Sequence, residues 1–104
     1  MIYTIMTVNN NKVLVKTGRT DNLNKRMNDY ITHGLSFELI DFRDGGRFLE
    51  QRAHKAYAEA NLKRVTRKHP ITGKTIMTEF FEKPEGITKQ EFIAQVTDIL
   101  NGLW

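Results

Sequence analysis

Two short runs of β-forming residues face each other across a polar turn at the start of this chain. Ile2, Tyr3, Ile5 and Val8 make the first, Asn9-Asn10-Asn11-Lys12 carry turn chemistry, and Val13-Leu14-Val15 begin a second that ends at Gly18. The pattern commits the N-terminus to an antiparallel hairpin and sets its register. If the four residues close the turn, Val8 lies opposite Val13 and Tyr3 opposite Gly18. Side chains alternate along a strand, so Tyr3 and Lys16 share one face as diagonal neighbours.

The remaining elements follow from spacing. Thr20 or Asp21 can cap a helix reaching about Thr32, with Leu23, Met27, Tyr30 and Ile31 directed toward a core, and His33-Gly34 stops it. Ser36 to Phe42 reads as a third strand. After Gly45-Gly46, Leu49, Ala53, Ala56, Tyr57 and Ala60 form a stripe of mostly small residues suited to close packing on a sheet. That helix is predicted to end near Arg64. A basic loop follows, then a short apolar element from Met77 to Phe81 that carries Glu79 and closes at Pro84. Thr88 and Glu91 stand at capping-box spacing ahead of Phe92, Ile93, Val96, Ile99 or Leu100, and Leu103, which marks a final helix. The order predicts an α+β fold, a small three-stranded antiparallel sheet flanked by three helices, in one domain over residues 1–104.

Composition excludes several classes. With no cysteine, neither a disulfide framework nor a thiolate zinc site can hold the fold. No window approaches the length of a membrane span, and the N-terminus lacks the features of a secretion signal, so the chain is expected to be soluble, cytoplasmic and without a membrane partner. The net charge of +4 is local: residues 63–74 hold five Lys/Arg and no acid, and the remainder nets −1. Such a run suits a solvated loop or a polyanion-binding surface equally well.

Arg26 and Tyr30 stand four apart on the first predicted helix and therefore one above the other. With Tyr3 on the first strand, Lys16-Thr17-Gly18 ending the second, Arg26 eight residues beyond the glycine and Glu79 inside Thr78-Glu79-Phe80-Phe81, the sequence resembles the GIY-YIG endonuclease superfamily, in particular its short phage-type members. The resemblance runs from residue 1 to about residue 81. Met1 stands where the first motif has glycine, Lys16 where many members have the second tyrosine, and Thr17 where an apolar residue is usual.

The resemblance implies hydrolysis of DNA phosphodiester bonds with one Mg²⁺ or Mn²⁺. Tyr3 would be the general base, its phenol favoured toward the anion by Lys16; Arg26 would hold the phosphate through its planar fork of donors, and Tyr30 would hydrogen-bond the same site. Glu79 would be the only protein ligand to the metal, an arrangement open to an ion that keeps several waters. Gln90 and Asn101 are both open as the phosphate-binding asparagine equivalent. His54 is a candidate proton donor, and His33 a helix-ending residue. Gly18 and Arg19, together with Lys63, Arg64, Arg67, Lys68, His69 and Lys74, make the expected phosphate-contacting surface. Cleavage of both strands from one site would call for a homodimer or two encounters. The alternatives are a non-catalytic nucleic-acid-binding module of the same fold, and a protein-interaction or inhibitor domain anchored by Leu103-Trp104.

Overall fold

The first two strands pair through the expected register. In the computed structural model, which describes residues 1–104, β1 (Ile2–Asn9) and β2 (Lys12–Arg19) set Val8 against Val13 and Tyr3 against Gly18. Asn10 and Asn11 take φ of 52° and 63°, the two-residue turn whose twist matches the strands it joins. Helix α1 (Leu23–Thr32) follows, and its cap is Asn22 rather than Thr20 or Asp21. The Asn22 Oδ1 accepts from Lys25 N at 3.0 Å, while Thr20 Oγ1 accepts from Asn22 N and braces the approach. Leu23, Met27 and Tyr30 are half-buried, but Ile31 is exposed; α1 rides at the rim of the fold.

Strand β3 (Glu38–Arg43) pairs antiparallel with β1, and helix α2 (Arg47–Glu59) then crosses the sheet. It ends before the expected Arg64. Asn61 takes φ 63°, Leu62 N donates to Tyr57 O, and the chain leaves helical geometry there. The released residues build β4 (Lys63–Lys68), which returns as β5 (Thr75–Glu82).

This hairpin corrects the three-stranded sheet. The sheet has five strands, in the order β3-β1-β2-β5-β4, with every neighbouring pair antiparallel. The reason lies in residues interleaved with the charges. Val65, Thr66, Thr75, Ile76 and Thr78 are β-branched and favour extended backbone, and lysine and arginine are well tolerated on an edge strand, where they also discourage pairing with other chains. Phe81 then anchors β5 beside Val15 of β2 in the core. Helix α3 (Lys89–Leu103) closes the chain with both bonds of the Thr88–Glu91 capping box formed.

Alternation divides the sheet into two faces. Met6, Val15 and Phe81 pack with Ala53 and Tyr57 of α2 and Phe92, Val96 and Leu100 of α3. Thr4 and Thr17, cross-strand partners on that face, join Tyr57 in a buried chain of hydroxyls, with Thr4 Oγ1 to Thr17 Oγ1 at 2.8 Å and Thr17 Oγ1 to Tyr57 Oη at 2.7 Å. The opposite face carries Tyr3, Ile5 and Lys16, and α1 covers it through Tyr30. No helix is long and apolar enough to cross a membrane.

Candidate active site

Cross-strand pairing lays the Tyr3 ring over Gly18. A Cβ on Gly18 would stand 2.6 Å from Tyr3 Oη and 2.8 Å from Cζ, so the position demands glycine because of the ring above it. Helix α1 brings Arg26 and Tyr30, one turn apart, to the same phenol. Tyr3 Oη meets Tyr30 Oη at 2.6 Å, and Arg26 Nη1 donates toward Tyr3 Oη at 3.5 Å. The tyrosine rings meet edge to face, and Tyr30 in turn meets Phe37 in the same way.

The electrostatics of Tyr3 follow from that packing. Burial pushes its acidity well away from the ordinary phenol range, upward in pKa, and the bond from Tyr30 pushes further in the same direction. Arg26 pulls it back down, incompletely. Interaction with Tyr3 is the first cause of a raised pKa at Arg26 itself. The cation that favours the phenolate is thus Arg26, where Lys16 had been expected.

Lys16 is engaged elsewhere. Its Nζ lies 3.3 Å from Glu79 Oε2, with the ammonium 5.3 Å from the Tyr30 ring centroid and 5.8 Å from that of Phe80. A bulge brings Glu79 there. Between the pairs Arg64↔Phe81 and Thr66↔Met77, β5 carries extra residues, and Thr78 Oγ1 fills the gap by donating to Val65 O while accepting from Phe80 N. The irregular backbone re-aims the glutamate toward β2.

Glu79 is a single, half-exposed carboxylate, and no group of three or more His, Cys, Asp or Glu side chains converges in the structure. Such a donor set fits a hydrated Mg²⁺ or Mn²⁺ shared with a substrate phosphate, and it does not fit a closed protein cage. The Lys16 ammonium beside it shows that this carboxylate holds a positive charge in place.

Other predicted residues fall in different places. Arg19 lines a polar cavity of about 340 Å³ with Lys25 and Arg26 at the start of α1, where Asp21 and Asp29 also contribute. His54 is on the far side of the sheet: its Nε2–H donates to Thr17 O at 2.7 Å and its ring rests near Phe81, so it braces β2 from below. Arg64 is bound into the sheet, Nε donating to Thr78 O at 2.6 Å with the guanidinium over Phe81. His69 Nδ1 accepts from the backbone N–H groups of Ile71 and Thr72 and so closes the β4–β5 turn. Lys63, Arg67, Lys68 and Lys74 are exposed. Neither open asparagine equivalent meets Tyr3. Gln90 is exposed on the first turn of α3, and Asn101 Oδ1 accepts from Arg43 Nη2 at 2.7 Å.

Sequence reasoning passed over the hydroxyl chain. Thr17 read as a departure from an apolar position, yet it is the hub of that chain; the signal was present in the register, which sets Thr4 opposite Thr17. The C-terminal tryptophan is likewise occupied, Nε1 donating to Asp44 O at 2.8 Å beneath the Arg43 guanidinium.

A family model for the T5orf172 domain matches residues 1–102. The chain belongs to the T5orf172 domain family. No curated protein and no solved structure gives a match. The match of this T5orf172 domain spans β1 through most of α3, and so includes every residue described above at Tyr3, Arg26 and Glu79.

Proposed function

We propose that this T5orf172 domain is a metal-dependent endonuclease of the GIY-YIG type acting on DNA. The observation that carries the reading is the convergence of Tyr3, Tyr30 and Arg26 over Gly18, beside the Lys16–Glu79 pair. Two independent lines support it: the association of T5orf172 domains with nuclease-like domains, and the basic strand at the sheet edge.

Hydrolysis of a phosphodiester needs a water deprotonated and a charged five-coordinate phosphorus stabilised. Tyr3 Oη is the base. In the free protein the phenol is neutral and the residue only 1% exposed, so Tyr3 serves as base only after the groups above it draw aside and its own proton passes to solvent, leaving a phenolate that takes a proton from the attacking water. Arg26 is the more weakly held of the two, by a contact at the outer limit of a hydrogen bond, and a phosphate offers its guanidinium two charged acceptors instead. Its movement would both seat the phosphate and uncover the phenol. Tyr30 keeps its bond to Tyr3 and donates to the oxygen once that oxygen is a phenolate, fixing its orientation. Glu79 would hold the divalent ion, which when bound supplies positive charge at the scissile phosphate. Lys16 then becomes free to face the phosphate or the phenol.

A second reading, a DNA-binding module without turnover, draws on two observations: burial keeps Tyr3 neutral, and Lys16 neutralises Glu79. Supercoiled plasmid separates the readings. Nicked or linear product formed with Mg²⁺ or Mn²⁺, abolished by chelator and lowered at least about 100-fold by Tyr3→Phe, supports the nuclease. Plasmid left intact at every metal concentration, with binding retained, leaves the module.

A further inference from the structure

The distal half of the β4–β5 hairpin stands clear of the rest of the sheet. Strand β5 pairs with β2 only through Phe80, Phe81 and Glu82, so the rungs Thr66↔Met77, Arg67↔Ile76 and Lys68↔Thr75 have no further strand paired on either side, although Thr66 and Arg67 border a cavity shared with the β1–β2 turn. All six of those residues are exposed. A free two-stranded ribbon is marginal by itself, yet this one is held at both ends. Thr78 and Arg64 tie its base, His69 Nδ1 closes its tip, and Lys74 O accepts from His69 N at 2.8 Å. Gly73 takes φ 69° to complete the turn.

Its chemistry is equally particular. Directly opposed residues share a face of a ribbon, so Arg67 with Ile76 occupies one face and Lys68 with Thr75 the other. Each face therefore carries one cation, and no acidic side chain occurs between residues 63 and 78. The tip presents Ile71 at 88% exposure, with Met77 at 62% behind it.

We infer that this ribbon enters the major groove of duplex DNA, Ile71 leading and Arg67 and Lys68 reaching the phosphates of opposite groove walls. The assignment rests on the nuclease reading for its substrate and adds that the substrate is double-stranded and B-form. The dimensions agree. The B-DNA major groove, about 12 Å wide and about 8.5 Å deep, admits a two-stranded ribbon, and the three free rungs alone extend about 10 Å at a rise of about 3.4 Å per residue, with the turn that carries Ile71 beyond them. The A-form major groove is too deep and narrow for such an element. Exposed Ile71 and Met77 suit contact with thymine methyl groups, which lie in that groove.

The test measures binding by fluorescence anisotropy with chelator present, to a 24-base-pair duplex, the same duplex with 5-octadiynyl-deoxyuridine for thymine, the matching double-stranded RNA and the single strand. The bulky 5-substituent fills the major groove alone. Wild type should bind the plain duplex at least about tenfold more tightly than the other three. Arg67→Ser/Lys68→Ser should lower the slope of log affinity against log salt by about 1.8, two phosphate contacts at about 0.9 each. Ile71→Ser should weaken plain-duplex binding and leave single-strand binding unchanged. Equal affinity for plain and substituted duplex, or an unaltered slope in the double variant, overturns the assignment. Plasmid cleavage by the wild type, run in parallel with Mg²⁺, separates the two claims. Cleavage with insensitive ribbon variants sinks the ribbon and keeps the nuclease; sensitive binding without cleavage does the reverse. A wild type that binds no nucleic acid removes both.

Discussion

Replacing Gly18 with alanine tests the seat of Tyr3 directly. The added Cβ would lie 2.6 Å from Tyr3 Oη, 2.8 Å from Cζ and 3.2 Å from Cε1, where unstrained carbon contacts begin at about 3.5 Å. Relief needs a shift of about 0.7 Å in ring or strand. Neither has free room: Tyr3 is 1% exposed, and the adjoining Thr17 is held by Thr4, Tyr57 and His54. Overpacking of this kind costs about 1–3 kcal/mol, and a misplacement approaching 1 Å at a reacting group costs about 100-fold in rate. Urea denaturation should therefore show a loss of about 1–3 kcal/mol, and plasmid nicking should fall by about two orders of magnitude. Tyr3→Phe removes the nearest clashing atom, so Gly18→Ala should cost measurably less stability in that background than in the wild type. A Gly18→Ala protein with unchanged stability and unchanged nicking would refute the stacked geometry and the role given to Tyr3.

Three further outcomes follow from the same structure. Tyr3 and Tyr57 both have raised pKa values, Tyr57 pushed up to about 12 by burial, so the folded state keeps protons that the unfolded chain releases. Their contribution is intact below about pH 10 and drains as pH rises toward the folded values. The unfolding free energy from urea titrations should thus fall by about 1.4 kcal/mol per pH unit for each tyrosine above pH 10, and Tyr57→Phe should remove one share of that slope; an unchanged slope would contradict the burial of its hydroxyl. Lys16→Met frees Glu79 from its ion pair, and the Mg²⁺ concentration for half-maximal nicking should fall severalfold; a rise would show that the ammonium does not compete with the metal. Thr88→Ala removes the Oγ1 acceptor of the capping box, leaving the bond from Thr88 N to Glu91 Oε1, and should cost about 1 kcal/mol by thermal or urea melting with nicking unchanged below the transition. An altered nicking rate in that variant would couple α3 to the site.

How much could be read from the sequence differs from residue to residue. The hairpin register was legible because a period of two and a short asparagine turn leave one pairing that places Tyr3 on Gly18. The final helix was legible because a capping box is local chemistry. The β4–β5 ribbon was not, since five cations over twelve residues read as solvated loop, and the β-branched residues between them matter only once Phe81 docks beside Val15. The Lys16–Glu79 pair was hidden for a related reason. Strict alternation along β5 does not set Glu79 toward Lys16, and the bulge at Thr78 that does so has no signature in spacing alone. His54 was misplaced because helical spacing says nothing of which sheet face a helix covers.

The hydroxyl seam of Thr4, Thr17 and Tyr57 guards the site during assembly of the fold. If β1 slid by one residue against β2, the threonines would part and Tyr57 would face a strand without its acceptor. Each buried hydroxyl left alone costs about 1–3 kcal/mol, on top of the penalty for turning Met6 and Val15 off the core face. The same slip would carry the phenol of Tyr3 off Gly18 and away from Arg26. Three polar groups in the core thus act as a check on pairing, so that a hairpin that closes at all closes with its catalytic candidates aligned.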